Sequence, residues 1–381
     1  MPVYLIRFNF GLVRFNLLDI LISLTIIIWL KEKGFKEIKD YFKNINKIYL
    51  SLILLLLLSV LFSIYFNGNK MIGWGMLKSY FLLPILFAFV VKDVFYDNEK
   101  NEKILYVIFS SGLGVAIISL FYKLAGKVTY DNRLEAFFNS PNYLAMYLAP
   151  SIIINFSLLF QKNIWYKITF FFLVIILYWT TSYGAWLAMG GTLIFIDYEK
   201  NRKKFKSWFQ WIEKSLLLKI LLIFLLIVVV LQNNNSKWQN LWNWSERSSE
   251  NSRLIIWRSA VKIVQDNWIW GVGPGNFQEQ YLMYQKYFPP YLEWAVPQPH
   301  NLWLAFWLQT GLLGLLSFLG LIFYFYKKSF YFLKKTKTRE KEIIITFMAL
   351  LLYWLGHGIV DTTFWKNDLA LMFWSVLSLV F

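Results

Sequence analysis

The chain has 381 residues, of which 58% are hydrophobic and 20% aromatic, and it carries a formal charge of +17 and no cysteine. The apolar share exceeds the roughly 45–50% that is typical of soluble domains, and the missing cysteines exclude disulfides and thiol chemistry. The lysines and arginines lie in short segments between apolar runs. This distribution is typical of a membrane protein and argues against a nucleic-acid partner.

Apolar runs recur along the whole chain, and runs such as 48–66 approach the length that a helix needs to cross about 30 Å of hydrocarbon. They do not alternate in polarity as barrel strands do, so the sequence predicts an all-α polytopic membrane protein with about 11–12 transmembrane helices. Residues 1–14 are apolar but too short to cross; they are expected to form a half-inserted helix unless an earlier span is missing. The predicted spans are 15–30, 48–66, 71–91, 104–124, 141–160, 168–181, 183–196, 216–232, 301–326, 343–360 and 368–381.

Three basic segments determine the predicted orientation. Segments 31–47, 197–219 and 327–342 contain six, seven and seven lysines or arginines, and all three are expected in the cytoplasm. An even number of crossings must separate any two of them. Region 168–196 must therefore form two short helices that meet near Thr181–Gly184, rather than one long helix. The segments that then face outward are 67–70, about 125–140, 232–300 and 361–367.

The outer segment 232–300 is far longer than the usual connection of about four to six residues. Apolar positions recur in it at helical spacing, which predicts an amphipathic helix lying along the membrane surface. These positions are Leu254, Ile255, Trp257, Ala260, Val261 and Val264. The predicted organisation is a single membrane domain, with N-terminal membrane helices over 1–231, a large periplasmic or extracellular loop over 232–300, and C-terminal membrane helices over 301–381.

Four arginines lie in outward-facing segments and so oppose the positive-inside bias: Arg133, Arg247, Arg253 and Arg258. One interpretation is that they are solvated or bind lipid phosphate. The other is an anion-binding site, because arginine forms bidentate hydrogen bonds with phosphate and keeps its charge. A diphosphate substrate at the outer leaflet would need such groups.

The chain has only two histidines. His300 lies in VPQPHNLW, where two prolines stiffen the chain just before a span. An imidazole there either accepts a proton near neutral pH or merely caps the following helix. His357 lies in LGHGIVD near the outer end of a span. Its depth makes it a secondary functional candidate, although a packed, hydrogen-bonding histidine is the favoured interpretation.

Two other motifs carry less chemistry. GVGPGNF (271–277) lacks the lysine and the preceding strand of a nucleotide-binding loop, so it predicts a turn. No pair of histidines has metal-ligand spacing and no close pair of acids lies in the outer segments, so no metal is expected.

Two stretches together resemble the O-antigen ligase and polymerase superfamily of bacterial envelope proteins. NRLEAFFNSPNYLAMYLAP (132–150) is similar to the arginine, aromatic and Pro-Asn opening of a span in that family. SRLIIWRSAVKIVQDNWIWGVGPGNF (252–277), followed by PHNLWLAFWLQTGLLGLL (299–316), resembles the family's signature block. In that block, arginine and tryptophan on an outer helix precede a Gly-x-Gly turn, and His-Asn then leads into a glycine-rich helix.

The resemblance implies a multi-pass glycan transferase of the bacterial cytoplasmic (inner) membrane. Its donor would be a glycan on undecaprenyl diphosphate, its acceptor a hydroxyl of a lipid or glycan, and its surroundings membrane lipids, with no cofactor, metal or nucleotide sugar. By the resemblance, Arg133 and Arg253 contact the diphosphate, Arg258 is a weaker candidate, and His300 is the catalytic histidine.

Three alternatives remain open. A repeat-unit polysaccharide polymerase of the same superfamily is the runner-up. A lipid or solute transporter would show internal repeats, and none is evident. A non-catalytic scaffold would leave His300 dispensable.

The chain departs from the resemblance at one place. It has Ser182-Tyr183-Gly184 where members of the superfamily often carry Ser-Arg-Gly. The change removes one expected phosphate contact.

Overall fold

A computed structural model describes residues 3–10, 13–67, 69–95, 98–160, 162–204, 207–215, 219, 238–239, 249–290, 296–336 and 338–380. The chain divides into two compact units, both of which are discontinuous in sequence. The first unit comprises Met1–Ile104, Ile255–Lys335 and Gly358–Phe381, and the second comprises Leu105–Leu254 and Thr336–His357.

Helices dominate the described residues. They are α1 (Leu17–Asn44), α2 (Lys47–Phe66), α3 (Lys70–Val94), α4 (Asn98–Leu124), α5 (Pro141–Leu159), α6 (Ile164–Trp179), α7 (Tyr183–Asn201), α8 (Trp208–Lys214), α9 (Ser249–Asp266), α10 (Phe277–Tyr284), α11 (Leu302–Lys335), α12 (Thr338–His357) and α13 (Asn367–Ser378). Short 3₁₀ turns occupy Val3–Leu5, Arg202–Lys204 and Gln285–Tyr287, and the π-helical stretches Leu77–Leu82 and Asn155–Leu159 lie within α3 and at the end of α5.

Within the described residues, five helices are long and apolar enough to cross a membrane: α2, α3, Asn101–Leu124 of α4, α5 and α11. A shorter apolar helix is α6. Each predicted span that falls in the described residues overlaps a helix, whereas the predicted span 216–232 lies outside them apart from residue 219. The all-α polytopic membrane fold is therefore confirmed.

Region 168–196 forms two helices, as predicted. Helix α6 ends at Trp179 and α7 begins at Tyr183. The chain leaves the helical conformation at Thr181, whose φ is +43°, in the left-handed region that a β-branched residue rarely adopts. The carbonyl of Leu177 accepts the hydroxyl of Thr180 at 2.6 Å, which satisfies one of the last carbonyls of α6.

The expected half-inserted helix at the N-terminus is wrong. Residues Arg7–Phe10 (β1) pair in antiparallel register with Val13–Asn16 (β2), with Arg7 opposite Asn16. Polar and aromatic residues alternate over β1, and this period of two outweighs the overall apolar character of the segment. The side chain of Asn16 then accepts the N–H of Asp19 at 2.9 Å and so caps α1.

In the first unit, α11 packs along α2 and is kinked rather than straight. The kink lies at Gly311, whose φ is +72°. A Cβ at this position would lie 2.2 Å from the carbonyl oxygen of Ile269, so only glycine fits the close approach. The kink divides α11 into a short N-terminal part, before Gly311, and a longer C-terminal part.

The glycine-rich segment 271–277 is a turn, as predicted, and it packs against the kink in α11. The N–H of Val272 donates to the carbonyl of Leu308 at 2.6 Å, and the N–H of Leu312 donates to the carbonyl of Ile269 at 3.1 Å. These bonds replace helical hydrogen bonds that the kink interrupts. The turn therefore holds the N-terminal part of α11 in place through two backbone hydrogen bonds.

The predicted outer helix is present as α9, but the face that packs differs from the expected stripe. Ile256, Ala260, Ile263 and Val264 are buried in one apolar cluster. Leu254 and Val261, which were assigned to the stripe, are exposed. The cluster is completed by Val272, Phe277, Tyr281, Val296 and Leu308. The outer segment is thus packed on its own core, and its position along the membrane surface stays a prediction.

In the second unit, α12 packs against α7 and α5. The hydroxyl of Thr346 donates to the hydroxyl of Ser157 at 2.7 Å, with both residues buried. Helix α5 begins at Pro141, and the side chain of the N-cap residue Ser140 accepts the N–H of Tyr143 at 3.2 Å. This fixes the start of α5, where one of the candidate arginines is bound.

Candidate functional site

His300 lies in the first unit, immediately before α11, in a strained backbone conformation. Its φ is +46°, and a residue other than glycine held in this region costs about 1–3 kcal/mol. The interpretation of His300 as a helix cap is wrong, because Asn301 caps α11: its side-chain oxygen accepts the N–H of Leu304 at 2.9 Å. His300 therefore does not cap the start of α11.

The imidazole of His300 lies beside a carboxylate that sequence analysis did not single out. The Nδ1 atom of His300 is 3.3 Å from Oδ1 of Asp361. The His300 side chain is 37% exposed and the Asp361 side chain only 6%. A buried carboxylate beside Nδ1 favours the tautomer with the proton on Nδ1, which leaves Nε2 able to accept a proton. The distance of 3.3 Å is at the long end for a hydrogen bond.

The segment that carries Asp361 is bonded directly to the segment that carries His300. The N–H of Leu302 donates to the carbonyl of Gly358 at 2.7 Å, and the side-chain amide of Asn301 donates to the carbonyl of Ile359 at 2.9 Å. The N–H of Thr362 also donates to Oδ1 of Asp361, at 2.8 Å. The segments of His300 and Asp361 are therefore joined by two hydrogen bonds, and Oδ1 of Asp361 is held by the N–H of the next residue.

Aromatic packing anchors the next part of the same segment. Phe364 and Trp365 are buried, and their ring centroids lie 5.0 Å and 5.3 Å from that of Phe306 on α11. Trp365 also meets Phe81 of α3 at 5.7 Å. Such aromatic contacts stabilise beyond the area they bury. The N-terminal part of α11 and the Asp361 segment therefore pack together.

Lys366 lies five residues after Asp361 in the same segment. Burial lowers the pKa of the Lys366 ammonium, while the carboxylates of Asp361 and Asp368 act in the opposite direction. The two carboxylates thus partly offset the effect of burial on the charged form of Lys366. In the sequence, Lys366 is marked only by its position in segment 361–367, which is predicted to face outward.

Two further side chains fix the His300 segment from outside. The indole N–H of Trp257 on α9 donates to the carbonyl of His300 at 3.3 Å. Gln309, which is fully buried, donates from Nε2 to Oε1 of Gln298 at 2.8 Å and accepts the N–H of Gly275 at 3.4 Å. Gln309 thereby links the glycine turn to the Pro-Gln-Pro-His segment.

Arg258 and Arg253 both lie on α9 but on different faces. Their separation of five residues corresponds to about 140° around a helix. Arg258 is exposed, whereas Arg253 is half-buried. Arg253 and Arg258 therefore do not form a pair on one face of α9. Arg247 lies outside the described residues.

Arg133 lies in the second unit, and its guanidinium is firmly bound. Nε donates to the carbonyl of Thr180 at 2.9 Å, and Nη2 donates to Oδ1 of Asn142 at 2.7 Å. Nη1 is 3.9 Å from a carboxylate oxygen of Asp131, and the side chain is 15% exposed. Asn142 belongs to the Pro-Asn opening of α5, so this motif orients the arginine. The rigid fork of a guanidinium matches the oxygens of carboxylate and phosphate groups.

His357, also in the second unit, is 1% exposed. Its Nδ1 atom lies 3.0 Å from the hydroxyl of Tyr353, one turn earlier in α12. This environment agrees with a packed, hydrogen-bonding histidine. Of the five candidates, the structure places His300 and Arg258 in the first unit and Arg133, Arg253 and His357 in the second.

Among the described residues, no three histidine, aspartate or glutamate side chains are grouped so that they could hold a metal ion.

At the departure from the resemblance, the ring of Tyr183 meets that of Trp186 at 5.2 Å and that of Trp238 at 5.7 Å, both edge to face. An aromatic cluster therefore occupies the place of the missing arginine.

Comparison with known proteins agrees with the resemblance. Residues 168–319 match the family described as O-Antigen ligase. The match includes the break between α6 and α7, helix α9, the glycine turn and His300, while Arg133 and Asp361 lie outside it. A search of curated proteins found no match. Together with the apolar helices, the match supports a role in glycan transfer in the membrane, and over residues 168–319 the chain is similar to the O-antigen ligase family.

Proposed function

We propose that this protein transfers a glycan from an undecaprenyl diphosphate carrier to an acceptor hydroxyl at the outer face of the bacterial cytoplasmic membrane. The observation that carries the proposal is the His300–Asp361 pair, in which Nδ1 and Oδ1 lie 3.3 Å apart. His300 lies just before the kinked helix α11 and within the region that matches the O-antigen ligase family. A half-exposed imidazole beside a buried carboxylate has the arrangement of a general base with its orienting group.

The reaction is a substitution at the anomeric carbon of the carrier-linked sugar. The acceptor oxygen forms the new bond to that carbon while Nε2 of His300 takes the hydroxyl proton. The bond between the anomeric carbon and the diphosphate oxygen breaks, and undecaprenyl diphosphate leaves with the electron pair. Asp361 stabilises the imidazolium that forms.

Arginines are assigned to the negative charge that develops on the leaving diphosphate. Arg133 is the strongest candidate, because its guanidinium is bonded to the Thr180 carbonyl and to Asn142 before any substrate arrives. Arg253 is half-buried on α9, and Arg258, which is exposed, is the weaker candidate. Arg253→Lys keeps the charge but loses the two-pronged geometry, so it should reduce transfer even when the protein is folded.

The decisive experiment supplies purified protein in lipid nanodiscs with an undecaprenyl diphosphate-linked glycan and an acceptor, in excess chelator. We expect the glycan on the acceptor and free undecaprenyl diphosphate. Growth of the glycan on its own carrier, with the acceptor unmodified, would identify a polymerase. Movement of the intact donor across the bilayer without bond cleavage would identify a transporter. Activity that returns only with magnesium or manganese would show that a metal takes part.

The proposal also fixes the orientation. A reporter inserted in the outer loop 232–300 should be accessible outside, and fusions at 204 and 335 should lie in the cytoplasm, as the basic segments require. Exposure of residues 232–300 to the cytoplasm would contradict the proposed mechanism, because the donor glycan is expected outside.

A further inference from the structure

Four aromatic side chains surround the break between α6 and α7. The rings of Tyr178 and Trp186 stack with centroids 5.5 Å apart and an angle of 9° between planes. Tyr183 stands edge to face against Trp186 at 5.2 Å and against Trp238 at 5.7 Å. All four residues are partly exposed. They form an aromatic cluster at the end of the second unit that also carries Arg133.

The cluster is fixed in place by the backbone. The indole N–H of Trp186 donates to the carbonyl of Leu177 at 3.3 Å, which folds this ring back on the end of α6. The positive φ of Thr181 sets the turn between the two helices. The rings are therefore positioned before a ligand binds, which reduces the entropy that binding costs.

Arg133 is bonded to the same turn. Its Nε donates to the carbonyl of Thr180 at 2.9 Å, and the N–H of Leu134 donates to the carbonyl of Trp179 at 2.9 Å. A diphosphate bound at Arg133 would therefore place the sugar that is linked directly to it beside these rings. This step rests on the proposed function.

The chemistry of the cluster suits a sugar ring better than an isoprenoid tail. A pyranose has a face of C–H groups, whose partial positive charge is attracted to the negative face of an aromatic ring, and hydroxyls at its edge. Tyrosine and tryptophan combine such a face with a polar edge group. An isoprenoid tail would be bound equally well by aliphatic side chains, which do not occur among these four residues.

We propose that Tyr178, Tyr183, Trp186 and Trp238 form a stacking subsite for the sugar attached to the carrier diphosphate. Tyr183, which stands where the resemblance leads one to expect arginine, and Trp186 are central to it, because each touches two of the other three rings. The cluster replaces a phosphate contact by a sugar contact, and so contributes selectivity for glycan-linked over bare carrier.

The test measures equilibrium binding in nanodiscs of two ligands, undecaprenyl diphosphate with and without its sugar. Tyr183→Leu keeps an apolar side chain but removes the aromatic face, so the Kd of the sugar-linked ligand should rise about 3- to 10-fold. The Kd of the bare carrier should stay within about twofold, as should both values in Tyr183→Phe. Trp186→Leu and Trp186→Phe repeat the comparison at a second ring. Tyr130→Leu, at a fully exposed tyrosine near Arg133, is the matched control.

An equal rise for both ligands would overturn the subsite in favour of a tail contact, and unchanged binding in both leucine variants would leave the rings as membrane-interface residues. A wild-type protein that binds both ligands equally would also overturn it. Because binding is measured without turnover, failure of the proposed function is distinguishable: the protein would prefer the sugar-linked ligand yet transfer nothing.

Discussion

The two histidines of the chain occupy contrasting environments. His300 has a left-handed backbone, a half-exposed ring and a carboxylate partner 61 residues further along the chain. His357 is buried in a regular helix, and its ring lies 3.0 Å from the hydroxyl of a tyrosine one turn away. Strain and long-range partners persist where surrounding structure enforces them, as at active sites, whereas a partner one turn away requires only the helix itself. The contrast favours the proposed chemical role for His300 and a packing role for His357.

The largest effect is expected from His300→Ala. A positioned general base contributes about 10²–10⁴-fold to rate, so transfer should fall by roughly that factor. Donor binding should survive, because the diphosphate is assigned to the arginines. The measurements are transfer rate, donor binding and protein yield, each compared with wild type. A normal transfer rate would remove a histidine base at this position from the mechanism.

Asp361→Asn should have the next largest effect, a loss of roughly 10- to 100-fold in kcat. An amide presents an N–H as well as an oxygen, so it no longer enforces the tautomer that leaves Nε2 as the acceptor. The loss should appear in kcat and leave the donor KM nearly unchanged. Asp266→Asn, at an exposed aspartate bonded to Lys262, is the control. Equal losses in both variants would contradict a specific role for Asp361.

Much of this contrast was readable from the sequence. The prolines around Gln298, the scarcity of histidine and the ordered motifs led to His300. Parity of the basic segments predicted the break at Thr181, and helical periodicity predicted α9. These features depend on local pattern or on counting, which a single sequence supplies.

Other parts depend on contacts between distant residues. Asp361 lies four residues after His357, which is the more conspicuous residue of that motif. No spacing rule links Asp361 to His300 across 61 residues. The kink at Gly311 arises from the close approach of the carbonyl of Ile269, which no pattern within α11 reveals. The sequence predicts the wrong packed face for α9, because apolar residues lie on several sides of this helix. The side that packs is determined by contacts with distant residues such as Phe277 and Leu308.

Gln309→Leu should have a smaller effect, a reduction of about 3- to 10-fold in kcat with the donor KM unchanged, which corresponds to one hydrogen bond. The substitution removes the link at 2.8 Å to Gln298, two residues before His300. If Gln309 acts only by positioning His300, it should have no further effect in a His300→Ala background. Gln285→Leu, at another buried glutamine of the outer segment, controls for general destabilisation. An equal loss with and without the imidazole would make Gln309 a structural residue only.

The smallest effect on turnover is expected from His357→Ala. The variant leaves the Tyr353 hydroxyl without its partner at 3.0 Å in a buried position, so it should lower the free energy of unfolding by about 1–3 kcal/mol. Transfer per folded molecule should stay within about threefold of wild type. Thermal unfolding in detergent and transfer rates at matched protein amounts separate the two quantities. Tyr353→Phe should destabilise similarly, and the double variant should lose less than the sum of the single losses, because the two side chains share one interaction. A well-folded His357→Ala protein without activity, beside an active His300→Ala protein, would reverse the assignment of the two histidines.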